Sequence, residues 1–337
     1  MIEIVLAEKH VLSEVERGVT IEESLDEIAM RVTFQPTVIP GFPAVDPGQP
    51  VRVLSSTPKG SGLETVFDGL VWDCESRLVG IKTLTVVGYD RTIYLARSED
   101  EYLLSAGQTA SARLKRYASD WRIPVGAVAD TRILLAQAVY RAQEIYSMIS
   151  SDLAETAYKG GGLFRARMSG RQLELVELGA NKVVWIFAVG ENIEELGQRR
   201  TLEGTVTQVK VLGSQMIESG LAELLAVEKG ETGKFGTLQK VIQDSKLTSV
   251  AEARTRAKAV LCGIQETFTV TAPCIPTIRA GDQVRLGELS LIVIGVKHEL
   301  GTPGQSTLEL ADRDFVRRRF YAWTPSSTSP EPWMLGL

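Results

Sequence analysis

Few residues in this chain have the types and spacing for chemistry. Among its 337 residues are two histidines, His10 and His298, far apart in sequence. A Ser-His-Asp or Cys-His arrangement needs a histidine beside a nucleophile and a third group to orient it. No H-E-x-x-H or comparable cluster offers metal ligands. His298 ends a predicted strand, where a packed or surface histidine is the commoner case. The three cysteines, Cys74, Cys262 and Cys274, form no C-x-x-C pair. An odd count argues against a disulfide framework or a zinc site, and the thiols read as reduced structural residues made in a cytoplasm. The stretch Gly230–Phe235, GETGKF, resembles a phosphate loop but has two residues between its glycines where four are needed. Phe235 also stands where the loop requires a hydroxyl. Lys159-Gly160-Gly161-Gly162 follows a helix instead of opening one, so it cannot cradle phosphate at a helix N-terminus. Asp68 with Asp73, and Glu174 with Glu177, are the carboxylate pairs to consider for glycoside hydrolysis. Their spacings put each pair on opposite faces of a regular strand, so solvated strand-edge carboxylates are the better reading. No catalytic residue, cofactor or metal ligand is assigned.

The totals describe an ordinary globular chain of two or three domains. Hydrophobic residues make up 44% and charged residues 23%, enough apolar surface for sizeable cores. A net charge of −5 gives no reason to expect a nucleic-acid surface, which needs a clustered basic face. The one basic run, Arg317-Arg318-Arg319, reads as a solvated triplet, with contact to an acidic partner as the alternative. The N-terminus lacks a signal-peptide pattern, and no window approaches a membrane span, so no membrane insertion is expected.

The elements that would carry any site are mainly strands. Val66–Asp73 and Lys82–Tyr89 alternate strongly about a turn at Gly80, and Val66/Leu70/Trp72 and Leu84/Val86 are the expected core faces. Thr109 caps a predicted helix carrying Ala110, Leu114, Tyr117 and Trp121 on one stripe. Ile145–Tyr158 has helical spacing and stops at the glycines after Lys159. Phe164–Met168 and Leu173–Leu178 read as a hairpin, and Val183–Val189 as a further strand of the same small α+β unit. Thr205–Leu212 alternates, Val250–Leu261 is an Ala-rich helix, and Ser306–Leu310 is a closing strand.

One stretch occurs twice. Residues 39–54, IPGFPAVDPGQPVRVL, align without a gap to 272–287, APCIPTIRAGDQVRLG, with five identities in sixteen positions. Pro40/Pro273, Pro43/Pro276, Gly48/Gly281, Val51/Val284 and Arg52/Arg285 coincide. Thr33-Phe34 matches Thr267-Phe268 upstream with a one-residue offset, and LTVVG (Leu84 to Gly88) is set against LIVIG (Leu291 to Gly295) downstream. The expectation is a duplicated β-module with an insertion between the copies. The division expected is 1–125 as a first β module and 126–200 as a small α+β domain. Residues 201–312 form the second module, with a helical insertion at about 213–262, and 313–337 a Pro/Ser-rich tail.

Several motifs resemble the baseplate hub proteins of contractile phage tails, and more narrowly the XkdQ/YqbQ-type hubs of PBSX-like prophages. They are Phe67 to Asp73, Gly88 to Ala96, Ser98 to Glu101, Ala106 to Ser111, Asp120 to Pro124, Arg200 to Gly213, Gly236 to Gln239 and Ala280 to Val284. Together they span roughly residues 60–312, leaving the first stretch and the tail unmatched. The resemblance implies an α+β, β-rich fold with two related β-barrel-like tube modules and an inserted small α+β domain. It implies a homotrimer whose six modules match a six-fold tail tube or tube-initiator protein, while its three-fold symmetry seats a central spike and contacts other baseplate subunits. It also implies assembly in the bacterial cytoplasm, release by lysis within a phage or phage-tail-like particle, and wall degradation by another subunit.

On that reading the repeat turns supply candidate ring contacts: Pro43, Gly48 and Arg52 in one copy, Pro276, Gly281 and Arg285 in the other. Arg317, Arg318, Arg319 and the tail residue Trp333 are further candidates for meeting a neighbour. Two other readings stay open. A carboxylate-based cell-wall hydrolase would need a cleft lined by an acid pair, and a binding module would need an exposed aromatic platform. Trp72, Trp121 and Trp185 all read as core residues, against the latter.

Overall fold

The computed structural model describes residues 2–12, 15–58, 62–215, 220–244, 247 and 249–322. They form two compact units. One comprises the described residues up to Gly197 and from Phe268 onward, and the other Gln198–Thr267.

The chain begins with strands β1 (Ile2–Leu6), β2 (His10–Leu12), β3 (Val15–Ser24), β4 (Arg31–Pro36), β5 (Pro50–Ser56), β6 (Leu63–Val79) and β7 (Ile81–Tyr89). An α+β segment follows, with α1 (Ile93–Arg97), β8 (Glu99–Leu104), α2 (Ala110–Asp120), β9 (Val125–Val128), β10 (Ala138–Glu144), α3 (Ile145–Tyr158), β11 (Phe164–Ser169) and β12 (Gln172–Glu177). β13 (Trp185–Phe187) and β14 (Glu195–Thr201) lead to β15 (Gln208–Gln215), β16 (Ala222–Lys229), α4 (Thr232–Phe235), β17 (Gln239–Gln243) and α5 (Val250–Val260). The chain then returns through β18 (Gln265–Pro273), β19 (Gln283–Leu286), β20 (Leu289–Leu300), β21 (Gln305–Ala311) and α6 (Arg313–Phe320).

Most strands join one sheet in the order β14-β18-β21-β20-β3-β4-β7-β6-β5-β1-β2, with β19 paired to β20 and β13 to β19. The fold is β-rich with few helices, as expected. Among the described residues the sheet does not close on itself, so the expected barrel-like modules are not seen as closed barrels.

Within that sheet the duplication is visible strand by strand. The order β4-β7-β6-β5 recurs as β18-β21-β20-β19. Leu70↔Tyr89 and Val71↔Gly88 on β6 and β7 correspond to Ile292↔Ala311 and Val293↔Leu310 on β20 and β21. Both pairs then slip by one residue at the same place, resuming at Asp73↔Val87 and Gly295↔Glu309. A shared bulge is a built feature of a strand, not a defect. The register corrects one alignment: LTVVG lies on β7, whose counterpart is β21, whereas LIVIG lies on β20, the counterpart of β6. Alternating apolar strands resemble one another, and only the pairing tells the third strand from the fourth.

The bulge also resets which side of β6 faces inward. Phe67 and Val71 enter the core with Val32, Phe34, Val51, Val53, Leu84 and Val86. Of the expected face Val66/Leu70/Trp72, Val66 is half-buried, Leu70 is buried and Trp72 is exposed. The second copy builds its own core from Val270, Val284, Leu286, Leu291, Val293, Leu308 and Leu310.

α2 and α3 pack with β11 and β12 around Leu114, Tyr117, Met148, Leu153, Phe164 and Leu175. Thr109 caps α2 as its sequence indicates, its hydroxyl accepting from the Ala112 N–H at 3.2 Å. α3 ends at Tyr158, where Gly160 takes a positive φ of 88°. The expected strand Val183–Val189 shrinks to β13, which adds in parallel to β19 instead of joining the α+β segment. In the second unit, β16-β15-β17 back the Ala-rich helix α5 through Val209, Val211, Ala226, Ala253 and Ala257.

Candidate functional site

The repeated turn is built the same way twice. Gly48 and Gly281 hold φ of +89° and +91°, a conformation that a side chain would strain. Their N–H groups donate to Val71 O at 2.7 Å and Val293 O at 2.8 Å. Val71 and Val293 return the bond, donating to Gln49 O at 2.8 Å and Asp282 O at 2.9 Å. The Asp46 N–H donates to Gln49 Oε1 at 3.2 Å, and at the matching position the Arg279 N–H donates to Asp282 Oδ2 at 3.0 Å. So the spacing from Pro43 to Gly48 encodes one local structure, and Pro276 to Gly281 encodes it again.

Their surroundings differ. Gly48 is exposed, Pro43 is half-buried, and nothing lies within 4 Å of a side chain placed at Gly48. Pro276 and Gly281 are buried. Gly281 O accepts from the Gly179 N–H at 2.9 Å, and Leu178 lies against its Cα. Arg52 stands across from Asp68 in the β5–β6 register, and Arg285 lies 3.5 Å from Glu288. The first turn is open to a partner; the second is covered by the α+β segment of its own chain.

The C-terminal arginines lie on α6, which the sequence did not disclose. Arg317 donates to Ala157 O at 2.6 Å and Gly161 O at 3.3 Å, satisfying carbonyls at the end of α3. Arg319 donates to both oxygens of Asp26 at 3.2 and 3.3 Å, and Arg318 is half-buried. Two arginines of the supposedly solvated triplet thus tie α6 to its own unit. Trp333 lies outside the described residues.

A buried ionic cluster joins the two copies to the β11–β12 hairpin. Glu23 is 4% exposed and accepts from Arg279 Nε at 2.6 Å, Arg279 Nη2 at 2.7 Å and the Ala280 N–H at 3.1 Å. Arg165 lies 3.2 Å from the same carboxylate. Burial alone raises a carboxyl's pKa, but the Arg279 and Arg165 charges outweigh it and hold Glu23 at about 2. Sequence reasoning missed this cluster; the only hint was Arg279 in the repeat where the first copy has Asp46. His298 is buried beside it, with ring nitrogens 2.7 Å from Ser306 Oγ and 2.8 Å from Ile278 O. These groups are enclosed and mutually bonded, an arrangement that fixes strands instead of presenting a reactive atom.

The carboxylate pair on β6 needs a correction. The bulge after Val71 brings Asp68 and Asp73 to the same face, because Arg52 and Val87 opposite them both point outward. Asp68 is engaged by Arg171 at 3.4 Å, and Glu177 by Arg313 at 3.4 Å. An open groove holds Glu22, Glu27, Arg31, Lys297 and Glu309, with Glu22 3.6 Å from Arg31. Among the described residues no three His, Cys, Asp or Glu side chains are placed to hold a metal ion.

The tryptophans also differ from expectation. Trp72 is 38% exposed, with Tyr89 and Tyr94 each edge-on at 6.2 Å, while Trp121 and Trp185 are only half-buried. Beyond Trp72, the tip of the β6–β7 hairpin exposes Leu78, Val79 and Ile81 at 74%, 73% and 65%. The run Leu78-Val79-Gly80-Ile81 was the signal: apolar residues on both faces of a hairpin end cannot all point to one core.

Comparison with known proteins agrees with this architecture. The chain is 27% identical over 237 residues to the uncharacterized protein YqbQ of Bacillus subtilis, covering 69% of this chain and 70% of that one. It is 25% identical over 267 residues to the phage-like element PBSX protein XkdQ of the same organism, covering 74% and 78%. Its fold is similar to that of a 43 kDa tail protein of prophage MuSo2 from Shewanella oneidensis. That match has a TM-score of 0.72, 12% identity, and coverage of 93% of this chain and 99% of that one. A second fold match is an E. coli component of the type VI secretion system described as similar to the T4 tail proteins gp27 and gp5. Its TM-score is 0.55 at 12% identity, covering 92% and 76%. The family model described as YQBQ-like matches residues 19–300. The chain is therefore a member of the YQBQ-like family.

Proposed function

We propose that this protein is a structural baseplate hub of a contractile phage tail or phage-tail-like particle. Three copies form a ring that joins a six-fold tail tube, or its initiator protein, to a three-fold central spike. The observation that carries this reading is the duplication: β4-β7-β6-β5 and β18-β21-β20-β19 share order, register and bulge within one chain. A protomer with two like modules presents six of them when three copies assemble about one axis. The phage-element relative and the tail-protein fold matches support the same setting. The exposed turn Pro43–Gly48 is a candidate contact with the tube, and other baseplate subunits are expected around the ring. The function is geometric: the chain catalyses no reaction and binds no cofactor, and wall degradation falls to another subunit.

Light scattering behind a sizing column tests the reading. The expected result is a mass of three 36.8 kDa chains that holds on dilution. A stable dimer, or a monomer at every concentration, would overturn the ring.

A further inference from the structure

We infer that successive copies of this chain join by strand addition: the free edge of β6 over residues 73–79 pairs antiparallel with the free edge of β14 in the next copy. The inference rests on the ring proposed above and names the surface that closes it.

The chain makes such a junction once within itself. One edge of β20 is covered by β21. The other is covered first by β19, from Leu289 to Ile292, and then by β3, from Gly295↔Ser24 to Leu300↔Val19. Thus β3 of the first copy is added to β20 of the second. β6 is the counterpart of β20 by register and bulge. β7 covers one of its edges and β5 covers the other from Leu63 to Leu70. Beyond the bulge, the place that β3 fills on β20 has no strand on β6 among the described residues.

Backbone direction shows that this edge is ready to pair. The Val38 N–H donates to Lys82 O at 2.9 Å, so Lys82 turns its peptide groups away from β6. Directly opposed residues of an antiparallel pair share that orientation, so Leu78, across from Lys82, turns its own away from β7. Cys74 and Ser76 have the same parity and aim at the same open edge. Such a row of unpaired groups is a template for another strand.

The side chains mark the same strip. Leu78 occupies the position of Leu300, yet Leu78 is 74% exposed and Leu300, beneath β3, is 2% exposed. Ser76 is exposed where His298 is buried. Trp72, at 38%, heads the strip where Ile294 is 8% exposed. Each difference has the sign expected of a surface covered in one copy and awaiting cover in the other.

The complementary edge belongs to β14. It flanks β18 as β3 flanks β4, and among the described residues it ends the sheet with no strand on its outer side. Glu195, Leu196, Gln198, Arg199 and Arg200 are exposed there. The occupant is therefore a second copy of this chain, joined head to tail, which is the type of contact that generates a ring.

The test combines hydrogen exchange with sizing on the full chain. In the assembled protein, the amides of Cys74, Ser76 and Leu78 should exchange on the order of 100-fold more slowly than unprotected amides. Ser76→Pro removes a donor aimed at the free edge while sparing the β7 ladder, and Leu78→Asp places a charge in the strip. Both variants should run at the mass of one chain with unchanged circular dichroism. A wild-type trimer whose edge amides exchange freely, or both variants remaining trimeric, would overturn the strand junction and leave a ring closed by another surface. A wild-type monomer at every concentration would overturn both the junction and the ring.

Discussion

Burial sets the chemistry of His298. A carbonyl only accepts, so Nε2–H donates to Ile278 O and Nδ1 accepts from the Ser306 hydroxyl. Burial, opposed by that Ile278 bond and by Glu23, pushes its pKa down to about 4. The unfolded chain therefore takes up a proton below about pH 6.5 that the native state refuses. Stability from this residue is lost as pH falls from about 6.5 to 4, by about 3 kcal/mol. Asp90 acts in the opposite sense. Burial raises its pKa to about 6, against bonds from Thr92, so its contribution is lost as pH rises through that value. The informative measurement is thus urea unfolding of wild type against His298→Gln at pH 7, 5 and 4. The wild type should lose stability relative to the variant as the pH falls. Glu23, held at about 2, contributes fully above its usual value of 4.5 and loses that contribution as pH falls from there to about 2. Arg279→Met would leave that carboxylate with Arg165 and the Ala280 N–H as its remaining partners, and should cost about 3 kcal/mol by urea denaturation.

At the scale of elements, the duplicated turn allows a controlled comparison. Gly48→Ala meets only the strain of its positive φ and should cost about 1–2 kcal/mol. Gly281→Ala meets the same strain and also places its methyl 2.7 Å from a Leu178 methyl, so its loss should be clearly larger. Thermal unfolding of the two variants checks the order. Thr109→Ala should cost about 1 kcal/mol by removing the cap of α2. Elements with strong local signals were legible: α3 begins and ends where its apolar spacing and glycines indicate, and the β11–β12 hairpin forms around Ser169-Gly170. The less legible ones depend on partners. β10 is an exposed strand that follows β8, β13 exists through β19, and α6 is polar and short, held by Arg317 and Arg319. The bulge in β6 leaves no mark in the sequence, and it changed the placement of Asp68 and Asp73.

For the whole molecule, the two units differ in the depth of their cores. Among the described residues, the unit Gln198–Thr267 encloses Val209, Val211, Ala226, Ala253 and Ala257 as its buried apolar core, whereas the other unit holds three larger clusters. Small cores open at lower free energy. Native-state hydrogen exchange should therefore release the amides of β15 and β17 before those of β4 and β7. Equal protection across both units would contradict this.

The sequence by itself determined that the chain is β-rich, that a turn-and-strand unit occurs twice, and that its motifs resemble those of tail hubs. Glycine, proline and alternating apolar residues act over a few positions, so these features can be read locally. The tertiary structure decided which strands correspond, which turn stays open, where the described arginines and tryptophans end up, and which edges have no strand beside them among the described residues. Those outcomes depend on long-range strand pairing and on a one-residue slip that reverses a strand's faces, and neither is written in any short stretch of residues.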